Sequence, residues 1–465
     1  MTSNASAPSS ASAGLNATER RATLGLAGIY GFRMLGLFLI LPVFALYADE
    51  LPGATPLLAG LAVGIYGLTQ ALLQIPFGLL SDRIGRKPVI IGGLLLFALG
   101  SIIAAMADTI WWVILGRTIQ GAGAISAAIM ALAADLTRDE QRTKTMAVIG
   151  MTIGFSFAVA LLSAPYLNHW VGLSGIFWFT ALLAGLGLLL LILVVPSPQR
   201  LVVHRDAQPI PALFGEVLSI RELLRLDFGI FTLHLVLTSL FLVVPLALRD
   251  AGLAPEYHTW IYLPILLLSI AAMVPFIILA ERKGRMRPVF LGAIAALALA
   301  LLGMRVWTDQ LWGIAVMLWL YFSAVNLLEA MLPSLVSKIA PAGAKGTAMG
   351  VYTTSQFAGA FLGGLLGGWV HGVIGASGIF LFGAGALTLW LLVAWGMANP
   401  RAYSTELAAV GPVDDHGARE LAQRLLGLPG VAEASVVPEE GVAYLKIDRS
   451  LFDRQQLDDL IATAT

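Results

Sequence analysis

Cysteine is absent from the 465 residues. That excludes disulfides, thiolate metal sites and a cysteine nucleophile, and it removes the Cys-x-x-Cys loop that a small metal-carrying domain would need. Charge is scarce as well. Asp, Glu, Lys and Arg make up 12% of the chain, 28 acidic against 28 basic, so the formal net charge is zero. A chain without a basic excess has no electrostatic footprint for a nucleic-acid partner. No nucleophile–base pair and no metal-ligand spacing stands out, which argues against an enzyme and against any metal or cofactor. What fills the chain is apolar: 58% of it is hydrophobic and the mean hydropathy is +0.85. That is more apolar surface than a soluble core absorbs, and the reading is an all-α polytopic membrane protein.

Twelve apolar stretches come near the ~20 residues that cross a bilayer. They run over 23–47, 57–80, 88–107, 111–135, 145–167, 173–195, 228–248, 259–280, 288–306, 311–337, 348–371 and 376–398. Basic residues from Arg20 and Arg21 through Lys338 and Lys345 then fall on one side, against Arg249 and Arg305 on the other. The positive-inside rule makes that side, and both termini, cytoplasmic. Residues 1–22, rich in Ser and Ala, read as a disordered cytoplasmic tail, since their small residues precede the first apolar run instead of following it. A Pro- and Arg-containing linker over 196–227 divides the spans into halves at 23–195 and 228–398, with an amphipathic surface helix expected at 214–226. Past Pro400 the composition turns soluble. Strands at 403–410, 431–437 and 442–447 and helices at 417–426 and 453–461 give the order β-α-β-β-α over 403–465, which resembles a small ferredoxin-like α+β module without a last strand.

One loop is more specific than the positive-inside rule requires. Between spans two and three stands Gly78-Leu79-Leu80-Ser81-Asp82-Arg83-Ile84-Gly85-Arg86-Lys87-Pro88. Gly85 can take the positive φ of a tight turn, Pro88 suits a first helical turn, and Asp82 needs the basic partner that Arg86 offers four residues on. The pattern G-x-x-x-D-R-x-G-R-K resembles the loop 2–3 signature of the major facilitator superfamily. Glu281, Arg282, Gly284 and Arg285 after span eight echo it, and Arg117 followed by Gly121 and Gly123 in span four is similar to a second signature. The resemblance implies twelve helices in two six-helix halves related by a parallel repeat. It also makes Asp135 the partner of Asp82 and Arg86, a cluster that, with Gly78, Arg83 and Gly85, acts as a conformational lock at the cytoplasmic end. Span five departs from the pattern: Gly150 and Gly154 keep a small-xxx-small face for helix contact, but Phe155-Ser156 replaces the Gly-Pro of antiporters.

Polar groups at membrane depth are the candidate site. Arg33 lies ~15 Å inside span one and Arg117 ~9 Å inside the outer end of span four. His234 sits in span seven, and Asn326 and Glu329 share a face of span ten at i, i+3. Glu329, Arg33, Arg117 and His234 are the proton-coupling candidates. Tyr66, Gln70 and Gln74 on span two, Asn326, and Tyr352 with Gln356 on span eleven are candidates to line a central cavity. Blander readings stand beside these: His234 as a hydrogen-bonded core histidine, and Arg117 as a structural group bonded to carbonyls of a neighbouring span. Glu329 is the only carboxylate placed deep in an expected span, where a carboxyl is costly enough to be functional, and its titration would depend on how near Arg33 comes.

Phe32-Arg33-Met34-Leu35-Gly36, Asn326-Leu327-Leu328-Glu329-Ala330 and the terminal module together resemble YajR-type transporters of the drug:proton antiporter group. That resemblance implies proton-coupled efflux of small amphiphilic or drug-like compounds across a bacterial inner membrane by rocker-switch alternating access. Its partners would be the substrate, protons and the bilayer, with a monomeric membrane domain. Two other readings stay open: a facilitator or symporter of a metabolite or sugar, and a non-transporting membrane sensor.

Overall fold

The computed structural model describes residues 14–197, 210–397 except 342, and 404–464 except 412, 439, 440, 449 and 450. Helix α1 (Ala17–Phe38) opens on a capping box in which Asn16 and Glu19 satisfy each other's backbone N–H groups. This corrects the expected tail: 17–22 belong to the first span, while 1–13 lie outside the described residues. Span one breaks before α2 (Leu41–Tyr47), where Pro42 cannot supply a helical N–H. Spans two and three are α3 (Pro56–Ile84) and α4 (Arg86–Ala105), separated by Gly85 alone at φ 99°. Span four is α5 (Ile110–Ala122) and α6 (Ser126–Asp135).

Helix α7 (Asp139–Leu193) contains 55 residues, which at helical rise is ~80 Å and more than two bilayer cores. Its backbone leaves the helical region at Gly172, φ 67° and ψ −178°, so it makes two crossings. With that division the eleven long apolar helices among the described residues give twelve spans.

In the second half, α8 (Phe214–Ser219) precedes span seven, which is α9 (Arg221–Phe241) continued by α10 (Val244–Asp250). The amphipathic helix expected at 214–226 is therefore not continuous. Ile220 is extended at φ −87°, ψ 106°, and 221–226 form the first turns of span seven, with Leu223 and Leu226 buried. Spans eight to twelve are α11 (His258–Arg282), α12 (Met286–Val306), α13 (Leu311–Ile339), α14 (Lys345–Ile374) and α15 (Ala376–Trp395).

The terminal module follows the order read from the sequence: β1 (Ser404–Ala409), α16 (Asp415–Leu426), β2 (Val431–Val437), β3 (Val442–Ile447) and α17 (Arg454–Ala464). Its strands form an antiparallel sheet in the order β1-β3-β2, with Leu407 opposite Tyr444 and Val436 opposite Ala443. Placing β3 between β1 and β2 is the split βαβ of a ferredoxin-like unit. Leu421, Leu425, Leu445 and Leu457 form its own core. The module is tied to the membrane domain by Lys446, whose Nζ donates to the Ile339 carbonyl at the end of α13 (3.1 Å) and pairs with Glu433 (3.3 Å).

Glycine decides how the two halves meet. A Cβ on Gly60 of α3 would stand 2.1 Å from the Gly364 oxygen of α14, and one on Gly64 would stand 2.6 Å from the Phe361 oxygen. The other face of α14 packs on α9 in the same way, Gly359 against the Phe231 oxygen (2.1 Å) and Gly363 against the Leu235 oxygen (2.2 Å). Such spacing is open only to residues without a side chain, and it brings backbones together where lipid offers no hydrophobic drive between helices. The expected small-residue contact at Gly150 and Gly154 is not made, since nothing lies within 4 Å of a Cβ at either. In its place Gly31 of α1 receives span five, with Ser156 Oγ donating to its carbonyl at 2.9 Å.

Candidate translocation site

The polar centre of the second half is built from three helices. Glu329 of α13 places Oε1 3.5 Å from His234 Nε2 of α9, and that nitrogen lies 2.8 Å from Gln356 Nε2 of α14. His234 is ~20 Å along α9 from Arg221, and Glu329 ~15 Å from the end of α13, so the pair is near mid-membrane. The Glu329 side chain is 36% exposed and that of His234 15%, so the carboxyl is the less packed of the two. A carboxyl and an imidazole at this separation form an ion pair when the ring is protonated, and a proton passes between them on closer approach or through one water. Asn326, on the same helix as Glu329, donates to Ser269 Oγ of α11 at 2.9 Å and serves a different contact.

Arg33 belongs to another network. Its guanidinium donates to Gln70 Oε1 (2.6 Å) and Ser126 Oγ (3.2 Å), and Gln70 Nε2 donates on to Gln74 Oε1 (2.6 Å). The group lies against Tyr66 and Phe97, 5.8 and 5.9 Å from the ring centroids, and is almost fully buried. The expected pairing of Arg33 with Glu329 is thus replaced by neutral acceptors of its own half. Tyr66, Gln70, Gln74 and Tyr352 are buried side chains in this structure, not the walls of an open cavity.

Arg117 lies 5.1 Å from the centroid of the same Tyr66 ring and donates to the carbonyls of Ala62 (3.3 Å) and Val63 (3.2 Å) and to Gln120 (3.0 Å). The geometry matches the carbonyl-bonded reading: it ties span four to span two. Gly121 permits the approach, a Cβ there standing 2.3 Å from the Tyr66 oxygen.

Access to the Glu329–His234 pair is closed from one side. The face that carries the loop between α3 and α4 is called here the loop face. On the other side of the pair four phenylalanines join the halves: Phe157 of α7 contacts Phe38 of α1 (5.3 Å between centroids), Phe241 of α9 (6.0 Å) and Phe322 of α13 (6.1 Å). Phe241 and Phe322 are each seven residues, ~10 Å, from His234 and Glu329 towards the far face. Beyond them, Thr259 of α11 donates to the Leu162 carbonyl of α7 at 2.8 Å. The Gly60–Gly364 contact lies in the same far region.

At the loop face the signature residues come together. Arg86, 2% exposed, ion-pairs with Asp82, meets Asp135 Oδ2 through Nε at 3.1 Å, and donates to Ser81 Oγ at 2.8 Å. The cluster joins α3, α4 and α6 of one half. A Cβ on Gly78 would meet Ala127 at 3.0 Å, which fixes how closely α3 approaches α6. Arg83 is exposed beside it. The echo in the second half is looser: Glu281, Arg282 and Arg285 are exposed, Gly284 turns at φ 63°, and Glu281 is 4.0 Å from Lys338 of α13.

Two groups escaped the sequence reading. Glu19 is buried under Arg138, which donates through Nε to its Oε1 at 2.8 Å and so ties the chain start to the loop between α6 and α7. Asp227, placed in the linker by the sequence, lies in α9 and is 7% exposed. Its position seven residues before His234, one helical face, was the available signal.

Twelve crossings in two halves that meet tightly at one side, around a polar pair at mid-depth, are the layout of a membrane transporter. The profile of the Major Facilitator Superfamily matches residues 26–364 and 228–449. The inner membrane transport protein YajR of Escherichia coli (strain K12) is 47% identical over 446 residues, 96% of this chain and 98% of that protein. The multidrug resistance protein MdtH of Aeromonas salmonicida is 26% identical over 372 residues, 77% and 91% of the two chains. Among solved structures, the human organic anion transporter MFSD10 (TETRAN) superposes with TM-score 0.60 at 21% identity, over 82% of this chain and 100% of that one. A bacterial homolog of the human lysosomal transporter Spinster, solved in an inward-facing and occupied conformation, gives 0.66 at 14% identity, over 82% and 96%. The chain belongs to the Major Facilitator Superfamily. Within it, this is a YajR-type protein with a small C-terminal β-sheet domain, a transporter and not an enzyme.

Proposed function

We propose that this transporter couples protons to the export of small amphiphilic or drug-like compounds across a bacterial inner membrane by rocker-switch alternating access. The observation that carries the reading is the Glu329–His234 pair lying directly beneath the Phe38, Phe157, Phe241 and Phe322 seal, with Glu329 still partly exposed. By the positive-inside rule the loop face is cytoplasmic, and the seal then closes the outer side. The multidrug relatives support the substrate class.

In the state seen here Glu329 gives up its proton towards the cytoplasm as an amphiphile binds. Rocking of the halves breaks the phenylalanine seal and closes the loop face. Outside, a proton returns to Glu329 and displaces the substrate. The charged carboxylate adds a partner for a substrate cation to the apolar contacts, so proton and substrate compete for one group, which is the condition for exchange. The Asp82–Arg86–Asp135 cluster keeps the first half rigid as it swings, and the membrane domain works as a monomer.

The test uses the full-length protein in liposomes with a trapped pH dye, against a panel of amphiphiles that includes ethidium. Movement of a compound should drive protons the opposite way. Accumulation of compounds with no dye response, or no movement of any of them, would overturn the reading.

A further inference from the structure

Asp227 is buried in α9 and takes part in no hydrogen bond or ion pair among the described residues. A carboxyl left so within a membrane helix is expensive unless it has a task. Its surroundings point to one. Asp227 and His234 are seven residues apart on one face of α9, with Asp227 ~10 Å nearer the loop face. That face meets α14, where Gly359 rests on the Phe231 carbonyl. Tyr352 is seven residues before Gly359 and Asp227 four before Phe231, and both helices start at the loop face. Tyr352 and Asp227 therefore hang on the same side of one close crossing. Tyr352 stands one helical turn nearer the loop face than Gln356, the α14 residue that meets His234 at 2.8 Å.

The ionisable groups carried by neighbouring helices towards this face are Tyr352 and Lys345 on α14, Glu329 and Lys338 on α13, and Glu216 on α8. Of the other helices that touch α9, α2 and α15 carry no charged residue, α10 carries Arg249 and Asp250 at the far face, and α3 carries Asp82 and Arg83 at its loop-face end. Of these, Tyr352 is the one placed to connect the two carboxyls.

We propose that Asp227 is a second proton-binding site, to which the proton leaving Glu329 passes through the Tyr352 hydroxyl on its way to the loop face. The O–H bond at Glu329 breaks as one forms at the Tyr352 oxygen, whose own proton moves to Asp227. Rotation of the hydroxyl restores Tyr352, and one proton has moved. This rests on the proton-coupled reading of Glu329 given above, and it predicts that the carboxyls fill and empty one after the other.

Infrared difference spectroscopy of the full-length protein in liposomes, titrated with pH, reads the carbonyl band of protonated buried carboxyl groups without needing a substrate. Asp227→Asn should remove one such carboxyl per chain, Glu329→Gln another, and the double variant both. Asp227→Glu should keep the band and so separates loss of the proton from misfolding. Tyr352→Phe should keep both bands but slow proton arrival at the loop face after a pH jump at least tenfold. If Asp227→Asn matches wild type while Glu329→Gln loses its band, Asp227 binds no proton and the parent reading survives. If Glu329→Gln matches wild type, it is the parent reading that fails.

Discussion

Gly60 and Gly364 stand so close that a single methyl carbon on Gly60 would overlap the Gly364 carbonyl oxygen, at 2.1 Å. No rotamer relieves an overlap with backbone, so a side chain here must part α3 from α14. Gly60→Val should therefore populate the conformation open at the far face. Because the chain has no cysteine, Thr259→Cys gives a single label site at the interface between α7 and α11. An impermeant maleimide should react at least tenfold faster in the Gly60→Val background, a shift of about 1.4 kcal/mol. An unchanged rate would mean that this contact is not part of the gate.

Asp82 and Asp135 both face Arg86, but unequally. The Asp135 side chain is fully buried and that of Asp82 is 23% exposed. Removing one partner of a buried pair costs about 3–5 kcal/mol, and less where water can take its place. Asp135→Asn should lower the thermal midpoint of the detergent-solubilised protein more than Asp82→Asn does. The reverse order, or equal shifts, would place the cluster's strength in the loop and not between helices.

Lys446 brings a buried ammonium to the last carbonyl of α13, the helix that holds Glu329. A cation suits that helix end, and the bond costs about 1–3 kcal/mol to break where its partners stay buried. Lys446→Met should loosen the module and speed backbone amide hydrogen exchange in β3 several-fold. Truncation after Met397 should leave a folded membrane domain with measurable transport. A truncated protein that inserts normally and moves nothing would make the module essential.

Composition, span lengths and the loop signature carried most of the fold, because each depends on local chemistry: apolar length against bilayer thickness, and Gly85 where φ turns positive. The terminal module was legible for the same reason, from alternation and turns. What escaped depended on partners distant in sequence. Nothing in the chain announces that Arg33 meets Gln70 and Ser126 and not Glu329, because depth along a helix says nothing about which way it faces. Gly150 and Gly154 have the spacing of a contact face but find no neighbour, whereas Gly60 and Gly364 pair across 304 positions. Asp227 was lost through a helix boundary: with span seven started at 228 it fell into the linker, and with α9 beginning at Arg221 it belongs to the span.

The central claim is that the proton rides on Glu329, and the most direct measurement is uphill transport by Glu329→Gln in liposomes under an imposed pH gradient. Glutamine keeps the shape and the contact with His234 but can neither bind nor release a proton. The account predicts that the variant exchanges an amphiphile across the membrane down its gradient, yet neither concentrates it nor moves protons with it. Concentration of the compound against its gradient by Glu329→Gln, still dependent on pH, would contradict the account and shift the proton to another group, with His234 first to be tested.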